Sequence, residues 1–458
     1  MSNAKLRGRP ATTGIIEGDF ALSVGPSCRP APEGWHWTPL SSLARLESGH
    51  TPSRKHPEYW GGEIPWIGIR DATGNHGRAI QDTEQHTNPL GISKSAARIL
   101  PVNTVCLSRT ASVGYVVVMG RPMATSQDFA NWVCGPGLDH RFLKYVLLAE
   151  RDAFSRFSYG STHQTIYFPE LKAFHICLPE RAKQEAIAAA LSALDDKIEL
   201  NRRMAATLEA MARALYRSWF VDFDPVHAKA LGRSPAHMDA ATAALFPDRF
   251  GEGGLPMGWR SGSLKDIAAL STEKWSVRSH PEILRYIDLS AVTAGTMEDP
   301  AAIGWTDAPS RARMILRPGD TILGTVRPGN RAFLLIGEDG LTGSTGFAVL
   351  RPMDFTDHGL LYVAATDADN IDRLAHLADG AAYPAVRPEV VAASPLVLAP
   401  PPIRQAFASM TTPMHARVQH AQTESRTLAA LRDTLLPKLI SGEIRVRDAE
   451  AAVEEAVA

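Results

Sequence analysis

The same order of segments occurs twice in this 458-residue chain, at a spacing near 220 residues. "GWHWTPLSSLARLESG" from Gly34 is matched by "GWRSGSLKDIAALSTE" from Gly258. Each predicts a short strand and then a small helix with the same apolar spacing. "ILPVNTVCLSRTASVGYVVVM" from Ile99 is matched by "ILRPGDTILGTVRPGNRAFLLI" from Ile315. Both predict an apolar strand, a proline turn, a strand ending in a basic residue, a small-residue loop and a third strand. "MATSQDFANWV" from Met123 then parallels "GLTGSTGFAVL" from Gly340, and "YGSTHQTIYFPEL" from Tyr159 parallels "DGAAYPAVRPEVV" from Asp379.

A helical stretch follows each copy. Ile187, Leu191, Leu194, Ile198, Asn201, Ala205, Leu208, Ala212, Leu215 and Trp219 step by four and three residues without a break, which is a coiled-coil seam. A shift of 220 gives Phe407, Thr411, Met414, Val418, Ala421, Ser425, Leu428, Arg432, Leu435 and Leu439, a more polar seam with apolar ends. Pro413 predicts a kink or a late start for this second helix. The first helix, some 40 residues from Arg181, would run roughly 60 Å at 1.5 Å per residue. No domain of about 150 residues buries that length, so it needs a partner helix, and the chain supplies one. Asn201 is either a buried polar residue fixing the pairing register or an asparagine tolerated at the seam edge.

The layout is therefore an N-terminal segment (1–33), a first domain (34–180), a helix (181–221), a Pro/Gly/Ala-rich linker (222–257), a second domain (258–402), a second helix (403–442) and a C-terminal tail (443–458). Hydrophobic residues at 45% and charged residues at 21% fit globular domains. No run of 18 apolar residues predicts a membrane span, and no signal peptide is legible. Cys28, Cys106, Cys134 and Cys177 are scattered, which argues against a zinc site or a disulfide framework and fits a reducing cytoplasm. A net charge of −1 argues against bulk electrostatic coating of nucleic acid.

"LESGHTPSRKHPEYWGGEIPWIGIRD" from Leu46 and "GSTHQTIYFPELKAFHICLP" from Gly160 bracket the first domain. "QEAIAAALSALDDKIELNRRMAATLEAMARALYRSWFVDFDPV" from Gln184 and "LAALRDTLLPKLISGEI" from Leu428 carry the two helices. Together these motifs resemble the specificity subunit of type I restriction-modification systems, over nearly the whole chain after Gly34. The resemblance implies two mixed α/β target-recognition domains in tandem, separated by two long helices that form an antiparallel coiled coil, in a pseudo-two-fold repeat. Each domain would read half of a split, asymmetric site on double-stranded DNA. The helices would set the spacing and dock two modification subunits, adenine methyltransferases that bind S-adenosylmethionine. Two restriction subunits, motor-nucleases using ATP and magnesium, would join them. No cofactor, metal or catalytic residue is expected on this chain. The second domain departs from the pattern: it reads "STEKWSVRSHPEILRYIDLSAV" from Ser271, and its closing loop lacks the polar "GSTHQ".

Other chemistries leave no trace. No Gly-rich cofactor loop with an Asn/Asp-Pro-Pro-aromatic motif, no G-x-x-x-x-G-K-[ST] and no HExxH is present. The readings that compete are a self-contained methyltransferase or nuclease, a coiled-coil scaffold without a DNA role, and an orphan that reads one half-site only.

Base edges are read by bidentate hydrogen bonds and phosphates by charge and hydroxyls, so contacts are expected on polar loops. In the first domain these are Arg70; Arg109, Thr110 and Ser112; Thr125, Ser126 and Gln127; and Ser161, Thr162, His163 and Gln164. In the second they are Arg327, Asn330 and Arg331; Thr342, Ser344 and Thr345; and Tyr383 and Arg387. Blander roles compete. Arg109 and Arg327 end similar strands and could be structural cations. Ser126, Ser344 and Thr345 suit turns that satisfy backbone amides. His163 suits loop filler, Gln164 suits adenine N6 and N7, and Trp60 and Trp66 suit a core rather than stacking platforms. Off the seam, Asp195, Asp196, Lys197, Glu199, Arg202, Arg203, Arg213 and Arg217 suit a solvated face combined with docking for the modification subunits. The domains also differ in charge. Gly34–Glu180 has 14 Lys/Arg against 12 Asp/Glu, or +2, and Gly258–Pro402 has 13 against 17, or −4.

Overall fold

A computed structural model describes residues 14–160, 163–380 and 383–457. The chain forms two compact units: Met1–Ile198 with Thr427–Ala458, and Glu199–Arg426. Each contains one globular domain and a stretch of both long helices, which span Arg181–Tyr216 and Pro401–Ile440.

In the first unit a five-stranded sheet runs in the order Ala44–Ser48, Phe129–Cys134, Val105–Ser108, Val116–Met119, Ala79–Ile80. Val105–Ser108 and Val116–Met119 are buried throughout, as continuous apolar runs in a central position should be. Trp132 stacks on Phe174, and Phe157 packs against the same ring. Helix His140–Ala149 turns Phe142, Leu143, Tyr145, Val146 and Leu147 into that core. Asp139 caps it by accepting from the amides of Arg141 and Phe142.

The N-terminal segment is not separate from this domain. Leu22–Val24 pairs with Phe174–Pro179 in a four-stranded sheet. The buried Glu150 carboxylate accepts the four consecutive amides of Asp19, Phe20, Ala21 and Leu22. The C-terminal tail is also structured: Val446–Val457 is a helix whose Ala449 and Val453 join the first unit's core. Its alternation of small apolar and charged residues gives one buried face.

The second unit repeats the plan with its strands divided differently among the sheets. Phe347–Pro352 lies between Ala268–Leu270 and Thr321–Gly324, with Phe333–Leu335 at the edge. The 222–257 stretch is no bare linker: it carries helices Asp224–Ala230 and Ala240–Leu245, and Val226 and Phe246 pack with Trp219, Trp259 and Phe407. Aromatic residues at Phe223, Phe246 and Phe250 supply the apolar area that Pro/Gly/Ala composition concealed. Trp219 itself sits in a π-helical turn, Arg217–Val221, which ends the first long helix.

The seam positions lie inward. In the first unit Ile187, Leu191, Leu194, Leu428, Leu435 and Leu439 are buried and Ile198 is half-buried. In the second unit Asn201, Ala212, Phe407, Thr411, Val418 and Ala421 are buried, while Leu208, Leu215 and Met414 are half-buried. Two polar ties fix an antiparallel register, one in each unit. Asp195 accepts from Arg432 at 2.9 Å in the first, and Asn201 donates to Glu424 at 2.6 Å in the second. Asp195 also accepts from Lys144 and Tyr145, so it belongs to a buried network rather than to a solvated or docking face. Arg213 and Arg217 are likewise engaged with Thr366, Asp367 and Asp369. Arg202 and Arg203 remain exposed beside Glu199. The second helix starts at Pro401 and runs through the exposed Pro413, so Pro413 does not mark its start.

Candidate nucleic-acid interface

In the first unit three loops are joined by one ladder of backbone bonds. The Arg109 amide donates to the Asp128 carbonyl at 2.7 Å, and the Arg109 carbonyl accepts from Ile166 at 2.9 Å. The Ala111 amide, at φ 62°, donates to Gln164 at 2.9 Å. Loops 109–114, 126–128 and 163–166 are thereby neighbours. The Arg109 guanidinium ties them again, donating to the carbonyls of Gln127 at 2.8 Å and Ile166 at 3.4 Å while its plane lies 4.9 Å from the Phe168 ring. Burial holds this arginine below its usual pKa, and Asp128 opposes the shift. Arg109 is thus half-buried and tied to the loop backbone.

The nominated loop residues divide by burial. Thr125 is buried and its hydroxyl accepts from Asn131 at 2.9 Å. Ser126 is buried and accepts from the Asp128 amide at 3.2 Å. Both hydroxyls are engaged within the fold, Thr125 by a buried side-chain amide and Ser126 by the local backbone. Gln127, His163, Gln164 and Arg70 are exposed, and Thr110 and Ser112 are half-buried. Ser161 and Thr162 lie outside the described residues.

Beside the Gln127 loop lies a cleft of about 530 Å³ lined by Thr51, Arg54, Trp66, Arg70, Gln85 and Gln127 among others. Arg54 lies over the Trp60 ring at 4.0 Å and the Trp66 ring at 5.0 Å, and donates to Gln85 Oε1 at 2.7 Å. Thr51 donates to Gln127 Oε1. The cleft's acids are engaged: Asp71 accepts the amides of Gly68 and Glu84, and Glu84 faces Arg70 at 3.9 Å. Trp66 is buried and Trp60 half-buried, so these rings are core and platform at once. Thr51, Arg54 and Gln85 are absent from the sequence-based set. The signal was an arginine and a threonine just before two tryptophans, legible only as part of a family pattern.

The second unit builds the same ladder. The Thr325 amide donates to Gly346 at 2.9 Å, the Thr325 carbonyl accepts from Val386 at 2.9 Å, and the Arg327 amide, at φ 49°, donates to Pro384 at 2.7 Å. The structural counterpart of Arg109 is therefore Thr325, and that of Arg327 is Ala111. The two arginines end their strands two residues out of step. Thr342 and Ser344 are buried, accepting from Trp275 Nε1 at 3.0 Å and the Gly346 amide at 3.2 Å. Thr345, Arg327, Asn330, Arg331, Tyr383 and Arg387 are exposed. Arg327 lies 5.0 Å from the Tyr383 ring. Arg327 and Arg331 both adopt left-handed backbone around the turn Pro328–Asn330. For residues with a Cβ that costs free energy, and such strain collects at functional loops. The exposed Arg331–Asp372 pair, 3.9 Å apart, offsets little of it.

Among the described residues no group of His, Cys, Asp and Glu is arranged to hold a metal ion, and no helix is long and apolar enough to cross a membrane. The four cysteines are free thiols.

Residues 32–210 match the type I restriction modification DNA specificity domain. The chain is 25% identical over 438 residues to the type I restriction enzyme MjaIX specificity subunit of Methanocaldococcus jannaschii, covering 91% of this chain and 95% of that one. It is 29% identical to the HindI specificity subunit of Haemophilus influenzae over 167 residues, 27% of this chain and 36% of the relative. The fold is similar to the crystal structure of the type I restriction-modification S subunit from M. genitalium. That likeness has a TM-score of 0.55 at 16% identity, over 88% of this chain and 96% of the other.

Proposed function

We propose that this chain is a specificity subunit of a type I restriction-modification system, as the match of residues 32–210 and the 25% identity over 438 residues support, and that its two domains each read one half of a bipartite, asymmetric DNA site. The observation that carries this reading is the repeated three-loop ladder. The backbone pattern through Arg109 and Ala111 recurs through Thr325 and Arg327, while the exposed tips differ: Gln127, His163 and Gln164 in one unit, Thr345, Tyr383 and Arg327 in the other. One scaffold with two sets of side chains suits two different half-sites. The long helices would set the spacer, and their exposed faces, with Arg202 and Arg203, would dock two modification subunits. S-adenosylmethionine is then bound by those subunits, and ATP and magnesium by two restriction subunits where present. This chain performs no chemistry.

The −4 charge of Gly258–Pro402 supports a division of labour in which the modification subunits close around the duplex and supply much of the phosphate affinity. Mapping adenine methylation in the host with and without this chain tests the reading. A two-part motif that disappears with the chain is expected; an unchanged map refutes it. A one-part motif would favour the reading in which the acidic second domain no longer selects DNA. Equal affinity of the isolated chain and the complex at one salt concentration would remove the division of labour.

A further inference from the structure

We propose that Arg54 and Arg311 are the guanine-reading residues of the two domains, each held by the same aromatic position of the repeated fold. The inference rests on the DNA-reading role above and names the bases that two side chains would select.

The geometry assigns the equivalence. Trp66 pairs in parallel with Ala124, two residues before the Ser126 turn; Tyr286 pairs in parallel with Thr342, two residues before the Ser344 turn. Trp66 and Tyr286 thus occupy one place in the two copies. Each carries a guanidinium. Arg54 lies over the faces of Trp60 and Trp66. Arg311 donates from Nε to the Tyr286 hydroxyl at 3.2 Å and from Nη2 to Asp288 at 3.1 Å. The two arginines come from opposite sides in sequence, Arg54 before its aromatic and Arg311 after, so descent from one repeated segment does not explain the coincidence. Both arginines are exposed, and both stand beside the loop tip that faces solvent: Arg54 shares the cleft with Gln127, and the Arg311 carbonyl accepts the Thr345 amide at 2.8 Å.

The chemistry favours a base edge over a phosphate. Arg54 shares its cleft with Asp71, Glu84 and Asp128, and Arg311 is bound to Asp288. Carboxylates so placed repel a phosphate chain. Asp288 and the Tyr286 hydroxyl also hold the Arg311 guanidinium in one orientation, as the ring faces and Gln85 hold that of Arg54. A planar fork fixed in this way matches guanine O6 and N7, the commonest bidentate arginine contact to a base. Lysine keeps the charge but loses the fork.

The test uses the complex purified from its host and the host's methylation map. Arg54→Lys should relax preference at one G·C pair of one half-site, and Arg311→Lys at one pair of the other, each by roughly 5- to 150-fold. A DNA-side arm does not depend on variant folding. 7-Deazaguanine, which lacks N7, should weaken binding of the wild-type complex at those same two pairs, and the penalty should vanish in the matching variant. An unchanged motif in both variants, or no deazaguanine penalty at any guanine, overturns the proposal. So does uniform weakening on all sequences with a shallower salt dependence, the mark of a phosphate contact. Loss of all sequence preference by the wild-type complex would instead remove the reading on which the proposal rests.

Discussion

The loop that follows the central strand is held differently in the two domains. In the first, a half-buried guanidinium, Arg109, spans two loop carbonyls. In the second, Thr325 stands at that place and its hydroxyl donates to Gly346 at 2.8 Å. The backbone ladder is the same in both. What persists is the hydrogen-bonded frame, and what varies is how many side-chain bonds reinforce it. The second loop instead carries a turn with two left-handed arginines. One domain ties these loops with a half-buried cation, and the other keeps its loop arginines, Arg327 and Arg331, exposed.

Four measurements can break this contrast, from the largest effect down. Asp320 in the second unit is buried and accepts both Nε and Nη2 of Arg351 at 2.8 Å. Its counterpart Thr104, buried in the first unit, donates to the Pro101 carbonyl at 2.6 Å. Asp320→Ala should destabilise the second unit by about 3–5 kcal/mol, because it removes two charge-assisted hydrogen bonds and leaves Arg351 with Glu273 alone as its carboxylate partner, against about 1 kcal/mol for Thr104→Ala. Hydrogen exchange resolved by unit reads both. Equal costs would show that the second unit does not depend on its ion pair.

Acid comes next. Burial, with help from His358 and Arg213, pushes His415 down to about 4. The unfolded chain takes up that proton near pH 6.5 and the folded chain near 4, so stability is full above 6.5 and is lost as pH falls towards 4. The total is about 3 kcal/mol. Urea midpoints of the second unit should fall over that window, and the slope should be shallower in His415→Gln; an identical slope would exclude His415 as its source. Burial, with Arg151 and Arg432, also pushes His76 of the first unit down to about 4. It is less buried than His415, so solvent screening should make its effect smaller.

Arg109→Ala should cost about 1.5–3 kcal/mol locally. It should raise exchange in loops 126–128 and 163–166, and blur the first half-site only. Thr325→Ala should cost about 1 kcal/mol and leave the second loop folded. Similar loop disorder in both would erase the distinction. Smallest of all, Gln127→Ala and Thr345→Ala should change stability by less than about 0.5 kcal/mol, since both side chains are exposed. Each should nonetheless alter base preference in its own half of a methylation map. A change in the wrong half would break the one-domain, one-half assignment.

The seam and the repeat were legible because both are patterns of apolar spacing, which burial imposes residue by residue. Ile187, Leu191 and Leu194 announce themselves. Side-chain destinations were not. Thr125 and Thr342 look like contacts because threonine is polar, yet Asn131 and Trp275 donate to their hydroxyls in the interior. "SRT" and "TVR" look equivalent at the ends of matching strands, yet the ladder registers them two residues apart. Arg54 and Arg311 are hidden for a related reason: they reach one place in the fold from segments that no sequence repeat aligns. The N-terminal segment eluded the sequence because its anchor, Glu150, is 128 residues beyond Leu22.

The first unit is made of two stretches of chain, Met1–Ile198 and Thr427–Ala458, and the second of one uninterrupted stretch. During synthesis the second unit has all its residues once Arg426 emerges. The first must wait for Leu428, Leu435, Leu439 and the closing helix with Ala449 and Val453 before its core is covered. The domain translated first is thus the last to be finished. Until then its apolar face is open, which makes it the natural client of chaperones and proteases on an unfinished chain.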